Sequence, residues 1–209
     1  GAYPPGSTIK PMFGLGGIHY GYVDWATAIS DPGYFTLPGD SHRFRDHKKT
    51  GHGSVNMHKA QVVSCDTYFY VLSYRMGIEK MNAWMRQFGF GEKTGIDLNG
   101  EAKGIMFSLD KMGPVETATT SFGQGISVTP IQQIRGVSAA VNGGNLYTPY
   151  IVRSISESET NEMIVLNKPK LVRQVISEET SNLVRYALES VVANGTGKNA
   201  YIENYRVGG

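Results

Sequence analysis

The sequence predicts a loop-rich, mixed α+β fold, and three of its features do so. Apolar residues recur at three- and four-residue intervals in several segments, the spacing of helices that pack on a core. Residues 146–156 and 163–166 are instead rich in β-branched and aromatic side chains and flank the polar stretch 157–162, the pattern of a hairpin. Glycine fills 26 of 209 positions, against a usual share of about 7%. That is too much for a plain helical bundle and suits turns and close backbone approaches.

Taken in order, Ala2-Tyr3-Pro4-Pro5-Gly6 cannot be helical, and Ser7 is placed to cap or open a helix over 7–19. Pro11 fits only near such a start. Gly14, Gly16 and Gly17 each cost about 1 kcal/mol relative to alanine, so this helix depends on packing. Residues 31–53 are rich in Gly, Pro, Asp and His without a period, which reads as a long ordered excursion or hairpin region that needs a clamp or a function. Helical spacing covers 57–75 and 78–87, and the stripe Met81, Trp84, Met85 and Phe88 is assigned to the core. Thr129-Pro130, then Ile131, Ile134, Val137, Ala140 and Val141, then Asn142-Gly143-Gly144, give a helix with an N-cap, a first-turn proline and a glycine stop. Residues 170–176 are a candidate further strand. Ser177 with Glu178 and Glu179 opens a last helix, closed at Asn194-Gly195. Tyr205-Arg206-Val207-Gly208-Gly209 reads as the entrance to a strand.

The length fits one globular domain, and 40% of the residues are hydrophobic. A formal charge of +2 gives no electrostatic footprint for nucleic acid. Cys65 is the only cysteine, so no internal disulfide forms. No apolar run approaches the ~18 to 20 residues that cross a bilayer, and residues 1–6 lack the basic and apolar regions of a signal peptide. The expectation is a chain soluble as given.

Ser7 and Lys10, three apart at a helix start, put a nucleophile beside a base on one face. Backbone N–H groups near the serine suit a developing oxyanion. Alone, S-x-x-K is a weak signal whose plain reading is a cap and a solvated lysine.

The surroundings change that reading. Tyr3-Pro4-Pro5-Gly6-Ser7-Thr8-Ile9-Lys10-Pro11 resembles the active-site start of the class B penicillin-binding proteins, serine transpeptidases that cross-link peptidoglycan. Leu37-Pro38-Gly39, Arg45-Asp46, Gly51-His52-Gly53, Ser64-Cys65-Asp66-Thr67-Tyr68-Phe69-Tyr70 and Thr94-Gly95-Ile96-Asp97-Leu98 are similar to the elongation-specific group. Thr119-Thr120-Ser121-Phe122-Gly123-Gln124-Gly125, Val128-Thr129-Pro130-Ile131-Gln132-Gln133 and Gly195-Thr196-Gly197-Lys198-Asn199-Ala200 are closer to sporulation-specific and Gram-positive class B enzymes. The resemblance covers nearly the whole chain and changes flavour around 98–104.

The resemblance implies that residues 1–209 are part of a transpeptidase domain: the helix-rich portion of the penicillin-binding protein and serine β-lactamase-like fold, without much of its central antiparallel sheet. It implies that Ser7 attacks a terminal D-alanyl-D-alanine peptide and forms an acyl-enzyme, that Lys10 takes its proton, that Ser64 relays protons and that Asp66 orients the lysine. β-Lactams would acylate the same serine. Gly123-Gln124-Gly125 lacks the full phosphate-loop fingerprint and by resemblance forms a wall of the substrate cleft. The third family motif, K-T-G, is expected on a strand after Tyr205-Arg206-Val207, and the sequence given stops before it. Lys93-Thr94-Gly95 has the letters but comes too early and is set aside as a decoy. On this reading, activity of residues 1–209 alone is in question.

All five histidines and the cysteine lie within the first 65 residues, and zinc takes imidazole, thiolate and carboxylate ligands. By resemblance to the elongation-specific group, the ligands of a structural zinc are Asp31, Asp46, His52 and Cys65. The plainer alternative is a buried free cysteine with surface histidines. Expected partners are peptidoglycan stem peptides, β-lactams and, by resemblance, the cell-elongation machinery. The parent enzyme is expected to be anchored in the inner membrane and to face the cell wall. Two rival readings stay open: a β-lactamase or β-lactam sensor of the same fold, and a non-catalytic zinc-stabilised fragment.

Overall fold

Helix α1 (Lys10–His19) sits among other helices at distances that leave no room for side chains on three of its positions. A Cβ at Gly14 would meet the Met57 sulfur at 2.7 Å, one at Gly16 would meet the Trp84 ring at 2.6 Å, and one at Gly17 would meet Leu72 at 2.6 Å. The glycines that weaken this helix in isolation are therefore what lets it pack. The computed structural model describes residues 1–106, 113, 123 and 125–209. Around α1 lie α2 (Met57–Val62), α3 (Asp66–Met76), α4 (Ile78–Gln87) and α5 (Pro130–Val141). Ile9, Met12, Phe13, Phe69, Leu72, Met81, Trp84, Met85 and Phe88 form the centre of the core, and the Trp84 indole N–H is satisfied by the Met12 carbonyl at 2.8 Å. The stripe assigned to the core from its spacing is buried there.

The start differs from the expected helix over 7–19. A 3-10 turn, Gly6–Ile9, precedes α1, and Ser7 caps neither element, because Pro5 and Ile9 occupy the cap positions. Pro11 is in the first turn of α1, where its missing N–H costs nothing.

The glycine-rich excursion is two nested antiparallel hairpins. Outer strands β1 (Ile29–Asp31) and β4 (Gly53–Val55) pair Ile29 with Val55 and Asp31 with Gly53. Inner strands β2 (Tyr34–Phe35) and β3 (Phe44–Arg45) pair Tyr34 with Arg45. A small second core of Leu37, Phe44 and Tyr70, with Phe35 against it, fastens the inner hairpin to α3.

The single helix expected over 57–75 is two helices. Asn56 caps α2, Cys65 caps α3 by accepting the Tyr68 N–H on its sulfur, and Ser64 between them takes a left-handed φ of 52°. The apolar period runs through the break and hides it. Ser64 and Asp66 are thus not mid-helix: one sits in the break and the other opens α3.

In the second half, Thr129 and Gln132 form the capping box that starts α5. Strands β5 (Asn145–Thr148) and β8 (Lys170–Gln174) pair at the root of a long hairpin, and β6 (Ser154–Ser156) pairs with β7 (Met163–Leu166) nearer its tip. Both ladders carry a register irregularity. Helix α6 (Glu178–Asn194), capped by Ser177, packs on α2 and α5. Residues 205–209, read as the entrance to a strand, hold no strand themselves; the Arg206 side chain pairs with Glu189 and the Gly209 N–H donates to the Leu188 carbonyl of α6. A strand needs a ladder partner, and none lies beside it among the described residues. The described sheets are four two-stranded ladders, in keeping with the helix-rich expectation.

Candidate active site

The break between α2 and α3 presents two oxygens of Ser64 and the carboxylate of Asp66 to a single cation. Lys10 Nζ donates to the Ser64 carbonyl at 2.9 Å, to Ser64 Oγ at 3.1 Å and to Asp66 Oδ1 at 2.6 Å. Its three donors are all used. Lys10 is 2% exposed, and the Phe69 ring lies 5.4 Å from its nitrogen. The solvated lysine of the plain reading is excluded.

Ser7, one turn before Lys10, is exposed. Both line a cavity of about 320 Å³ whose other walls include Met12, Gln61, Val137 and Leu188. The Ser7 hydroxyl makes no hydrogen bond to a described residue. The segment before it is stitched down by a reciprocal pair of bonds, 2.9 Å each, between the backbones of Tyr3 and Val128. Gly123 is buried at φ 80° with its Cα against Gly6, so a Cβ there would lie 2.5 Å from the Gly6 backbone. The Gly123 end of the expected cleft wall therefore abuts the turn that carries the serine. Gly125 is exposed at φ 80°, and Gln124, like Thr119-Thr120-Ser121-Phe122, lies outside the described residues.

Asp31, Asp46, His52 and Cys65 converge, with ligand atoms all within 4.8 Å of one another. His52 Nδ1 is 2.7 Å from Asp31 Oδ2 and 3.5 Å from Asp46 Oδ1, and the Cys65 sulfur is 3.4 Å from Asp31 Oδ2. Both carboxylates are buried. Burial alone would raise the pKa of Asp31, but the neighbouring Thr67 side chain, main-chain N–H bonds from Gly33 and His52 and the His52 ring hold it down at about 2. Burial pushes the Cys65 thiol well up, and the charges of Asp46 and Asp31 push it further. Two buried carboxyl groups, a thiol and an imidazole thus face one another in one small pocket.

The two clusters share a wall. Asp46 Oδ2 accepts the Thr67 N–H at 3.0 Å, and the His47 N–H, next in the chain, donates to Asp66 Oδ2 at 3.2 Å. The excursion thus grips the carboxylate that pairs with Lys10.

Two contacts were beyond the reach of the sequence. Gln133 Nε2 donates to the Thr8 carbonyl at 3.2 Å, tying the start of α5 to the turn that carries Ser7; its position in the Val128–Gln133 motif was the available signal. Gln61 lines the cavity and was hidden among helix residues. Lys93-Thr94-Gly95 is a turn whose Thr94 and Gly95 bind the Glu101 carboxylate, and it does not line the cavity with Ser7.

The penicillin binding protein transpeptidase domain matches residues 1–209. The chain belongs to this family. It is 48% identical over 219 residues to the peptidoglycan D,D-transpeptidase MrdA of Acinetobacter baumannii, covering 100% of this chain and 32% of that protein. It is 49% identical over 208 residues to stage V sporulation protein D of Bacillus subtilis, covering 99% of this chain and 32% of that one. Each of these two likenesses runs over essentially the whole chain. Pseudomonas aeruginosa PBP2, solved in complex with WCK 5153, superposes with a TM-score of 0.83 at 33% identity, covering 95% of this chain and 47% of that one. This transpeptidase-family chain spans about a third of the length of its curated relatives. No helix among its described residues is long and apolar enough to cross a membrane.

Proposed function

We propose that this chain is the nucleophile-bearing part of a peptidoglycan D,D-transpeptidase and that Ser7 forms the acyl-enzyme. One observation carries the reading: buried Lys10 is held by partly buried Ser64 and Asp66 and lines one cavity with the exposed Ser7. Ser7 Oγ bonds to the carbonyl carbon of the penultimate D-alanine, and the peptide C–N bond breaks to release D-alanine. Lys10, in the form with a free amine, takes the Ser7 proton; Ser64 Oγ hands its own proton to the leaving nitrogen and takes one back from Lys10; Asp66 holds the lysine in line. Gly123, Gln124 and Gly125 wall the cleft. An acceptor amine of a second stem peptide then attacks the ester and regenerates Ser7.

Asp31, Asp46, His52 and Cys65 fit a structural zinc. The donor set is one imidazole, one thiol and two carboxylates, enough to close four-coordinate zinc with no open position. A divalent cation there would offset most of the negative charge of the two carboxylates and the thiolate, and it would pin the excursion that grips Asp66. It supplies no step of the reaction. The resemblance of the first half to the elongation-specific group extends the proposal to a longer, membrane-anchored protein of the cell-elongation machinery that faces the cell wall.

Intact-protein mass spectrometry after incubation with a penicillin tests the function, with Ser7→Ala alongside. A covalent adduct of the intact drug's mass that vanishes in Ser7→Ala is expected. An adduct that persists in Ser7→Ala removes the serine from its role. A folded chain with no adduct, also when extended by a K-T-G strand, favours the non-catalytic reading, and rapid turnover of the drug favours the β-lactamase reading.

A further inference from the structure

The long hairpin projects from the body of the molecule with all residues from Tyr150 to Leu166 exposed. Ile155 is 49%, Met163 57% and Ile164 61% exposed. Among the described residues, β6 and β7 pair only with each other, so neither outer edge meets a third described strand. A two-stranded ribbon of this kind is marginal in water by itself, and a bare apolar edge is a template for another strand. Natural edges are commonly blunted by charge along the strand. Here the charges stand at the two ends instead.

The tip, 157–162, holds Glu157, Glu159 and Glu162 and no Lys or Arg. The root holds Arg153, Lys168 and Lys170, and neither 149–153 nor 167–172 contains an acidic residue. None of these six charges forms a salt bridge with a described residue. With the single Asp97 carboxylate bonded at the root set against the three cations there, the ribbon reads, from tip to root, as negative, apolar, net positive.

We propose that this ribbon is a self-association surface, and that its occupant is a second copy of this chain added antiparallel along the β7 edge. A two-fold axis between Ile164 and Val165 sets apolar middle on apolar middle and places each acidic tip beside the other copy's basic root. In such an isologous pairing every attraction occurs twice. A parallel pairing would superpose like charges and is disfavoured by the same pattern. The ribbon supplies both halves of the complementarity, which is why a second copy fits it better than an unrelated partner.

Sedimentation velocity on the chain and two charge-reversed variants tests this. One variant reverses the tip (Glu157→Lys, Glu159→Lys, Glu162→Lys), and the other reverses the root (Arg153→Glu, Lys168→Glu, Lys170→Glu). The unaltered chain is expected to form a concentration-dependent dimer that weakens as salt shortens the screening length from about 10 Å at 0.1 M towards about 3 Å at 1 M. Each variant alone is expected to be monomeric, and an equimolar mixture to recover the dimer, which also shows that both are folded. Ile164→Asp loses the dimer in every mixture. A chain monomeric at all concentrations overturns the proposal. So does a dimer untouched by either reversal, or a mixture that stays monomeric.

Discussion

Lys10 Nζ and Asp66 Oδ1 lie 2.6 Å apart although 56 residues separate them in sequence. A buried ammonium is tolerable only when paired and hydrogen-bonded, and removing its partner strands the charge. Asp66→Ala is therefore expected to lose about 3 kcal/mol in urea unfolding, and Asp66→Asn, which keeps an acceptor oxygen, to lose less. Both are expected to slow acylation by a penicillin about 100-fold or more, the scale of a displaced acid–base group. Acylation at the unaltered rate in Asp66→Asn would remove Asp66 from the positioning role.

Zinc binding at Asp31, Asp46, His52 and Cys65 makes a separate prediction. Saturating zinc is expected to raise the melting temperature of metal-stripped protein, by the equivalent of about 2.7 kcal/mol at a hundred times Kd. Cys65→Ser should lose most of that gain, and elemental analysis of the untreated protein should find one zinc per chain. No zinc, together with an unchanged melting temperature in Cys65→Ser, would leave Cys65 a plain buried cap of α3.

Much of this arrangement was legible because local chemistry and tertiary structure agree. Thr129 and Ser177 cap the helices they were expected to cap, and the Met81–Phe88 stripe lies in the core. The four residues assigned to a metal from the resemblance meet in space. One failure has a long-range cause and one a local cause. Helix α2 ends where the Thr196 N–H reaches the Val62 carbonyl and where Lys10 reaches Ser64, partners more than fifty residues away that no local period encodes. Ser7 lost its expected cap because Pro5 already fills the cap position of the 3-10 turn, with Thr8 Oγ1 bonded back to the Pro5 carbonyl at 2.6 Å.

Gly123 abuts the turn that carries Ser7 through a contact that only glycine permits. Its φ of 80° and the Gly6 backbone 2.5 Å from any added Cβ both oppose a side chain. Gly123→Ala is expected to cost about 1–3 kcal/mol, the scale of forced backbone strain, and to lower the acylation rate more than a distant substitution of equal cost does. Chemical denaturation and stopped-flow acylation on the same samples separate the two effects. A variant that is destabilised but acylates normally would detach Gly123 from the positioning of Ser7.

Asp97 anchors the root of the exposed hairpin and supplies a pH signature. Its carboxylate accepts the Val152 and Ile151 main-chain N–H groups at 2.8 Å each, and these bonds, Val152 first, hold its pKa below the ordinary 3.8. A depressed carboxylate stabilises the fold above its unfolded pKa, and that contribution fades as pH falls through the lower folded value. Asp97→Asn keeps one acceptor oxygen but turns an amide N–H towards a second donor, so it should melt below the unaltered chain at neutral pH. The gap should narrow below about pH 4 as Asp97 itself becomes protonated. Thermal unfolding of both proteins across that range reads the difference directly and cancels the other carboxylates. An equal gap at neutral and strongly acid pH would mean that Asp97 acts through packing, not charge.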